Sequence, residues 1–154
     1  MPPLKPVGAA VVLLVQPHDD SRDMYAEFLR HHGLEVVCPA DVVEALTLAL
    51  NADVIVTELQ LPGLDGYEFI RRLRADERTR QKPIIVVTSW AWQTERLRAE
   101  EAGCDLFLTK PCLPDVLLRH VRRAVAAKNL RGVRGRPTKP DANESIRRKP
   151  KRTA

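Results

Sequence analysis

The feature that most constrains this chain is an alternation. Five short apolar runs, VVLLV (11–15), LEVVC (34–38), DVIVT (53–57), PIIVVT (83–88) and DLFLT (105–109), are separated by stretches of helical period. Runs of four to six residues rich in Val, Ile and Leu are the pattern of strands buried on both faces. The intervening stretches are amphipathic. MYAEFLRHH is stopped by Gly33, and VVEALTLAL follows Asp41 with Glu44 spaced as a capping box. YEFIRRLRADE comes third, and TERLRAEEA is stopped by Gly103, a C-cap glycine. PDVLLRHVRRAVAAK opens with Pro114 in a helix first turn. Five strands each followed by a helix require right-handed crossovers and a five-stranded parallel sheet covered on both faces, a doubly wound (βα)5 arrangement.

In such a sheet functional groups gather at the carboxyl ends of the strands. That places Val15-Gln16-Pro17, Thr57-Glu58, Thr88-Ser89 and Thr109-Lys110 on one surface. Glu58 stands out: in VTELQLPGLDG a lone carboxylate sits where a buried strand meets a turn, a position that packing alone does not explain.

Charge divides the chain. From Lys128 to the end there are ten Lys/Arg against two acids, a net of +8, which leaves 15 bases and 18 acids, a net of −3, for residues 1–127. The basic character belongs to the tail. We expect a short N-terminal extension (1–9), one domain (10–127) and a basic, disordered tail (128–154) with almost no apolar residues to bury. No stretch approaches the roughly 20 apolar residues of a membrane span. MPPLKPVGAA lacks the charged-apolar-cleavage pattern of a leader, so a cytoplasmic protein is expected. Cys38, Cys104 and Cys112 form no spaced pair and read as reduced structural thiols.

On its landmarks the stretch 10–127 resembles the receiver domain of two-component response regulators. ELQLPGLDGYEF is similar to the family's D-x-x-x-P-x-x-D-G block, Thr88 falls on its Thr/Ser position, Lys110-Pro111 on its Lys-Pro pair, and Phe107 on its switch aromatic. The resemblance implies an Asp that accepts a phosphoryl group from a histidine kinase, two acidic residues holding Mg²⁺, a Thr/Ser and a Lys. Here the sequence departs from the family. Glu58 stands at the acceptor position, and Gln16-Pro17 stand where the acidic pair belongs. Mg²⁺ wants hard oxygen ligands in near-octahedral array, which this pair does not supply, so metal binding is expected to be lost.

Neighbouring groups carry two readings each. Asp19 and Asp20 either cap helix 1 or form a displaced metal site; His18 is either an exposed loop histidine or a ligand for a softer metal. Glu58 is one C–C bond, about 1.5 Å, longer than Asp. It either reaches Lys110 and hydrogen-bonds Thr88 to hold an active-like state, or compensates a buried lysine without signalling meaning.

The expected function is therefore a phosphorylation-independent, non-enzymatic interaction module in two-component signalling or transcription control. Its partner would be a protein, a histidine kinase or another regulator, with a homodimer among the options. One alternative keeps phosphorylation, at Glu58 or a nearby Asp. Another is a nucleic-acid-associated protein: Arg134-Gly135-Arg136-Pro137 resembles an AT-hook core, whose arginines enter a narrow minor groove. Trp90 and Trp92 in SWAWQ are candidate anchors for a partner, or one of them is core.

Overall fold

The computed structural model describes residues 8–133, and side chains up to residue 127. Strands β1 (Val11–Val15), β2 (Glu35–Val37), β3 (Val54–Thr57), β4 (Ile84–Thr88) and β5 (Leu106–Thr109) form one parallel sheet in the order β2-β1-β3-β4-β5. The helices are α1 (Asp19–His31), α2 (Val42–Leu48), α3 (Gly66–Ala75), α4 (Gln93–Ala102) and α5 (Pro114–Val133), with a single 3-10 turn at Ala49–Asn51. The fold class read from the alternating pattern is the one observed.

Alternation of side chains along the strands builds two cores. Leu13, Val15, Ile55 and Val86 face α2, α3 and α4, meeting Ala45, Phe69, Leu73 and Ala99. Val12, Leu14, Val54, Val56 and Val87 face α1 and α5, meeting Tyr25, Leu29, Leu117 and Val121. Most of these are fully buried, each contributing roughly 1.5–3 kcal/mol of hydrophobic stabilisation. Among the described residues no helix is long and apolar enough to cross a membrane.

Strand order reverses direction between β1 and β3, so the crevice at their carboxyl ends is the topological switch point. The register pairs Val15 with Thr57 and Thr88 with Thr109. Residues 16, 58, 89 and 110 therefore emerge together on one rim.

The helix ends differ from expectation in three ways. Helix α1 begins at Asp19, with His18 in the N-cap position and no side-chain cap. Asp19 and Asp20 are thus first-turn residues rather than caps, favourable to the helix dipole, and Asp19 pairs with Arg22 at 2.9 Å. At α2, Asp41 accepts from the Glu44 amide at 2.8 Å as foreseen, but Glu44 accepts from Ala40 N at 3.2 Å, one residue before the cap. Helix α5 runs to Val133, six residues past the expected end of the domain at 127, carried by the helix-forming AVAAKNL. The remainder of the expected tail, 134–154, and residues 1–7 of the N-terminal extension lie outside the described residues.

Two glycines are required by geometry. A Cβ on Gly66 would lie 2.5 Å from the Leu59 carbonyl oxygen, because the amide of Gly66 bonds that carbonyl at 3.1 Å to close the turn after β3. Gly103 ends α4 at φ 121°, where other residues are strained.

Candidate functional site

Glu58 follows directly on the buried strand β3 and is itself 2 % exposed. A carboxylate there needs partners, since desolvation without compensation is costly. Its Oε2 lies 3.0 Å from Lys110 Nζ, and its Oε1 accepts from Leu59 N at 2.8 Å and more weakly from Gln60 N at 3.5 Å. Backbone bonds from Glu58 N to Val15 O and from Lys110 N to Thr88 O fix the two bearing loops against the sheet.

Lys110 has a second acceptor. Its ammonium donates to Gln16 Oε1 at 3.0 Å, and the Gln16 amide donates onward to Val87 O at 3.4 Å. Gln16 is 4 % exposed. One cation thus joins the carboxyl ends of β1, β3 and β5, with both side-chain acceptors turned toward it. The charge pair was foreseen from the sequence; the role of Gln16 was not.

Thr88 is fully buried at the end of β4, but its hydroxyl oxygen accepts from Trp90 N at 3.1 Å. The hydrogen bond expected between Glu58 and Thr88 is not formed. The turn into α4 competes for that hydroxyl, and the Glu58 oxygens are taken by Lys110 and the amides that follow it.

Does this donor set fit Mg²⁺? Pro17 brings no oxygen from its side chain. Gln16 brings a neutral amide oxygen, and Glu58 a single carboxylate; Lys110 holds both. Asp19 is committed to Arg22. Among the described residues no group of three His, Cys, Asp or Glu side chains converges to hold a metal, and His18 is exposed. The residues do not fit the ion.

Beside this cluster, Phe107 is buried on β5 beneath the Arg96 guanidinium, 4.9 Å from its ring centroid. Trp90 is half-buried and rests on the α2–α4 core, so it is a packing residue. Trp92 is 67 % exposed at the N-cap position of α4. Helix α4 is tied to α3 by the Tyr67 hydroxyl, which donates to Glu95, and by Arg98, 4.0 Å over the Tyr67 ring. Burial and the neighbouring Glu95 carboxylate push the Tyr67 phenol well above its usual range. On the opposite side of the sheet Tyr25 donates to Cys112 O at 2.7 Å, joining α1 to the loop after β5; burial chiefly, then Cys112 and Glu58, pushes its phenol to about 12. Arg134, Gly135, Arg136 and Pro137 lie outside the described residues.

Sequence reasoning missed Arg74. Its nearly buried guanidinium bonds Gly103 O, Arg80 O, Lys82 O and Asp105 Oδ2 at 2.6–2.9 Å, clamping α3 to the loops around β4 and β5. Nothing in RRLRADE separates this arginine from its neighbours except its place on the inner edge of the helix.

Comparison with known proteins agrees with the fold. The family model for the response regulator receiver domain matches residues 12–122. The chain is 33% identical over 119 residues to response regulator Rre1 of Synechocystis, covering 75% of this chain and 51% of Rre1, about half that protein's length. It is 29% identical over 102 residues to the polar-differentiation response regulator DivK of Brucella ovis, covering 65% of this chain and 83% of DivK. Among solved structures, chemotaxis response regulator CheY4 of Vibrio cholerae superposes with a TM-score of 0.69 at 30% identity, covering 75% of this chain and 98% of that one. The receiver domain of sensor histidine kinase PA1611 from Pseudomonas aeruginosa PAO1, which holds a magnesium ion in its active-site cleft, superposes with a TM-score of 0.71 at 32% identity, covering 77% and 99%.

Proposed function

For a chain that belongs to the response regulator receiver family, we propose a departure from the phosphorylation cycle: a pseudo-receiver that signals by binding a protein partner in one fixed state. The observation that carries this reading is the three-way contact of Lys110 with Glu58 and Gln16. Phosphoryl transfer depends on positioning and on neutralising charge as it develops, and a receiver of this family uses a metal for that. Here the charge at the acceptor position is already neutralised by a lysine that belongs to the chain.

The chemistry follows from the donors. Glu58 Oε2, the atom nearest Lys110, is held in a charge-assisted pair, and Oε1 is held by a backbone amide. Both oxygens are thus engaged by donors, which lowers their readiness to attack phosphorus. The chain is then a binder rather than a catalyst, and its partner is a histidine kinase or another regulator. Exposed Trp92, at the entry to α4, is the aromatic best placed to touch that partner.

Intact mass after incubation with acetyl phosphate and Mg²⁺, beside a phosphorylation-competent receiver, tests the proposal. Unchanged mass is the expected result. Gain of one phosphoryl group, lost in Glu58→Ala, would overturn it.

A further inference from the structure

Of the nine described arginines outside α5, six are matched by acids, while Arg30, Arg80 and Arg96 are not. Arg22, Arg71, Arg72, Arg74, Arg78 and Arg98 each lie within 4 Å of a carboxylate. Helix α5 gathers three more unmatched arginines on one face. Arg119, Arg122 and Arg123 are exposed, and none pairs with a carboxylate among the described residues; Arg122 bonds only the His32 carbonyl oxygen, at 3.3 Å. They occupy positions i, i+3 and i+4, which share one helix face with Cβ atoms about 5–6 Å apart. With Leu118, Ala126 and a single acid, Asp115, they line a shallow groove along the helix.

The sequence continues the same sign. From residue 116 to residue 140 there are eight bases (Arg119, Arg122, Arg123, Lys128, Arg131, Arg134, Arg136, Lys139) and no acid. The helix itself has 20 residues, about 30 Å of length. The domain from 1 to 127 is net negative, so this density is local and not a property of the whole surface. Half-buried His120 registers the field: burial first, then Arg123 and Arg119, hold its imidazole below the usual range.

An unpaired basic row on a rigid helix, leading straight into a basic tail, is the electrostatic footprint of a polyphosphate partner. The geometry points to duplex DNA as that partner, gripped through its phosphates by Arg119, Arg122 and Arg123. Guanidinium forks match phosphate oxygens two at a time, and a folded helix presents them with its backbone already ordered. Duplex DNA is favoured over an acidic protein because the sequence runs from residue 116 to residue 140 with eight bases and no acid, a continuous row of like charge that a phosphate backbone matches along its length. This inference is independent of whether Glu58 accepts a phosphoryl group.

Fluorescence anisotropy of the full-length chain with a labelled 20-bp duplex, across 50 to 200 mM salt, tests it. Arg119→Ala/Arg123→Ala is expected to weaken binding and to flatten the slope of log affinity against log salt by about 2, one per lost phosphate contact. Arg119→Lys/Arg123→Lys keeps the charge and is expected to keep the slope. An alanine variant with the wild-type slope would overturn the assignment, as would a full-length chain that ignores the duplex at 50 mM salt. Displacement by poly-glutamate as effective as by unlabelled duplex would assign the row to an acidic protein, and tighter binding of single-stranded RNA would exclude duplex DNA as the ligand; either defeats the proposal.

Discussion

Glu58→Gln keeps the shape of the side chain and removes its charge, leaving the Lys110 ammonium with Gln16 as its chief acceptor. Removing one member of a buried pair costs on the order of 3–5 kcal/mol, because the other charge is stranded. Two facts reduce that here: the Lys110 side chain is 14% exposed, and its bond to Gln16 Oε1 survives. A loss of about 2–3 kcal/mol is expected, or about 6–10 °C in Tm for a domain of this size. Lys110→Met strands the Glu58 carboxylate, which is only 3% exposed, and is expected to cost at least as much. The double variant Glu58→Gln/Lys110→Met strands no charge, only the Gln16 Oε1 acceptor that loses its lysine donor, and should lie within about 2 kcal/mol of the parent. Urea unfolding of the four chains closes the cycle, and the coupling should be several kcal/mol. If Glu58→Gln unfolds like the parent, or if the two single losses simply add, the pair does not organise this rim.

Two further outcomes are expected. Tyr25 titrates near 12 in the folded chain against about 10 when unfolded, so the unfolded state releases its proton first as pH rises. Stability from this group is complete below pH 10 and is lost on the way to 12. Tyr25→Phe should reduce that alkaline loss in a urea–pH series, leaving the share due to Tyr67 and Cys104, whose protons are also held by burial; an unchanged profile would refute the role. Gly66→Ala drives a methyl into the Leu59 backbone, and urea unfolding should show a loss of about 3 kcal/mol or more; a loss under about 0.5 kcal/mol would show that the turn can yield.

The strands and most helix ends were legible because they depend on local pattern: the apolar runs matched β1 to β5 within a residue or two, and Gly103 stopped α4 where expected. The Lys110–Glu58 pair was legible because two opposite charges on one sheet rim have little choice. Gln16 was not, since an amide can serve as donor or acceptor and only the 3.0 Å approach of Lys110, 94 residues away, selects its role. Thr88 was misread for a related reason: one hydroxyl faced two claims, and the nearby Trp90 amide prevailed. Trp90 and Trp92 read alike in SWAWQ, and the path of the loop divides them into packing and exposed surface. Arg74 and the unpaired arginines of α5 required the opposite of a motif, namely which carboxylates are near and which are not.

The cation at the rim is tethered. A lysine side chain delivers its ammonium to Glu58 and Gln16 at an effective concentration on the order of millimolar or above, because it never diffuses away. A free divalent ion or phosphodonor would have to displace this internal competitor before gaining any site of its own. A ligand stabilises a fold with the logarithm of its concentration over its dissociation constant, so an outside ion that must first displace this lysine gains less than it would at an open rim. In the fixed state proposed above, such a chain would report one quantity to its partner: how much of it has been made.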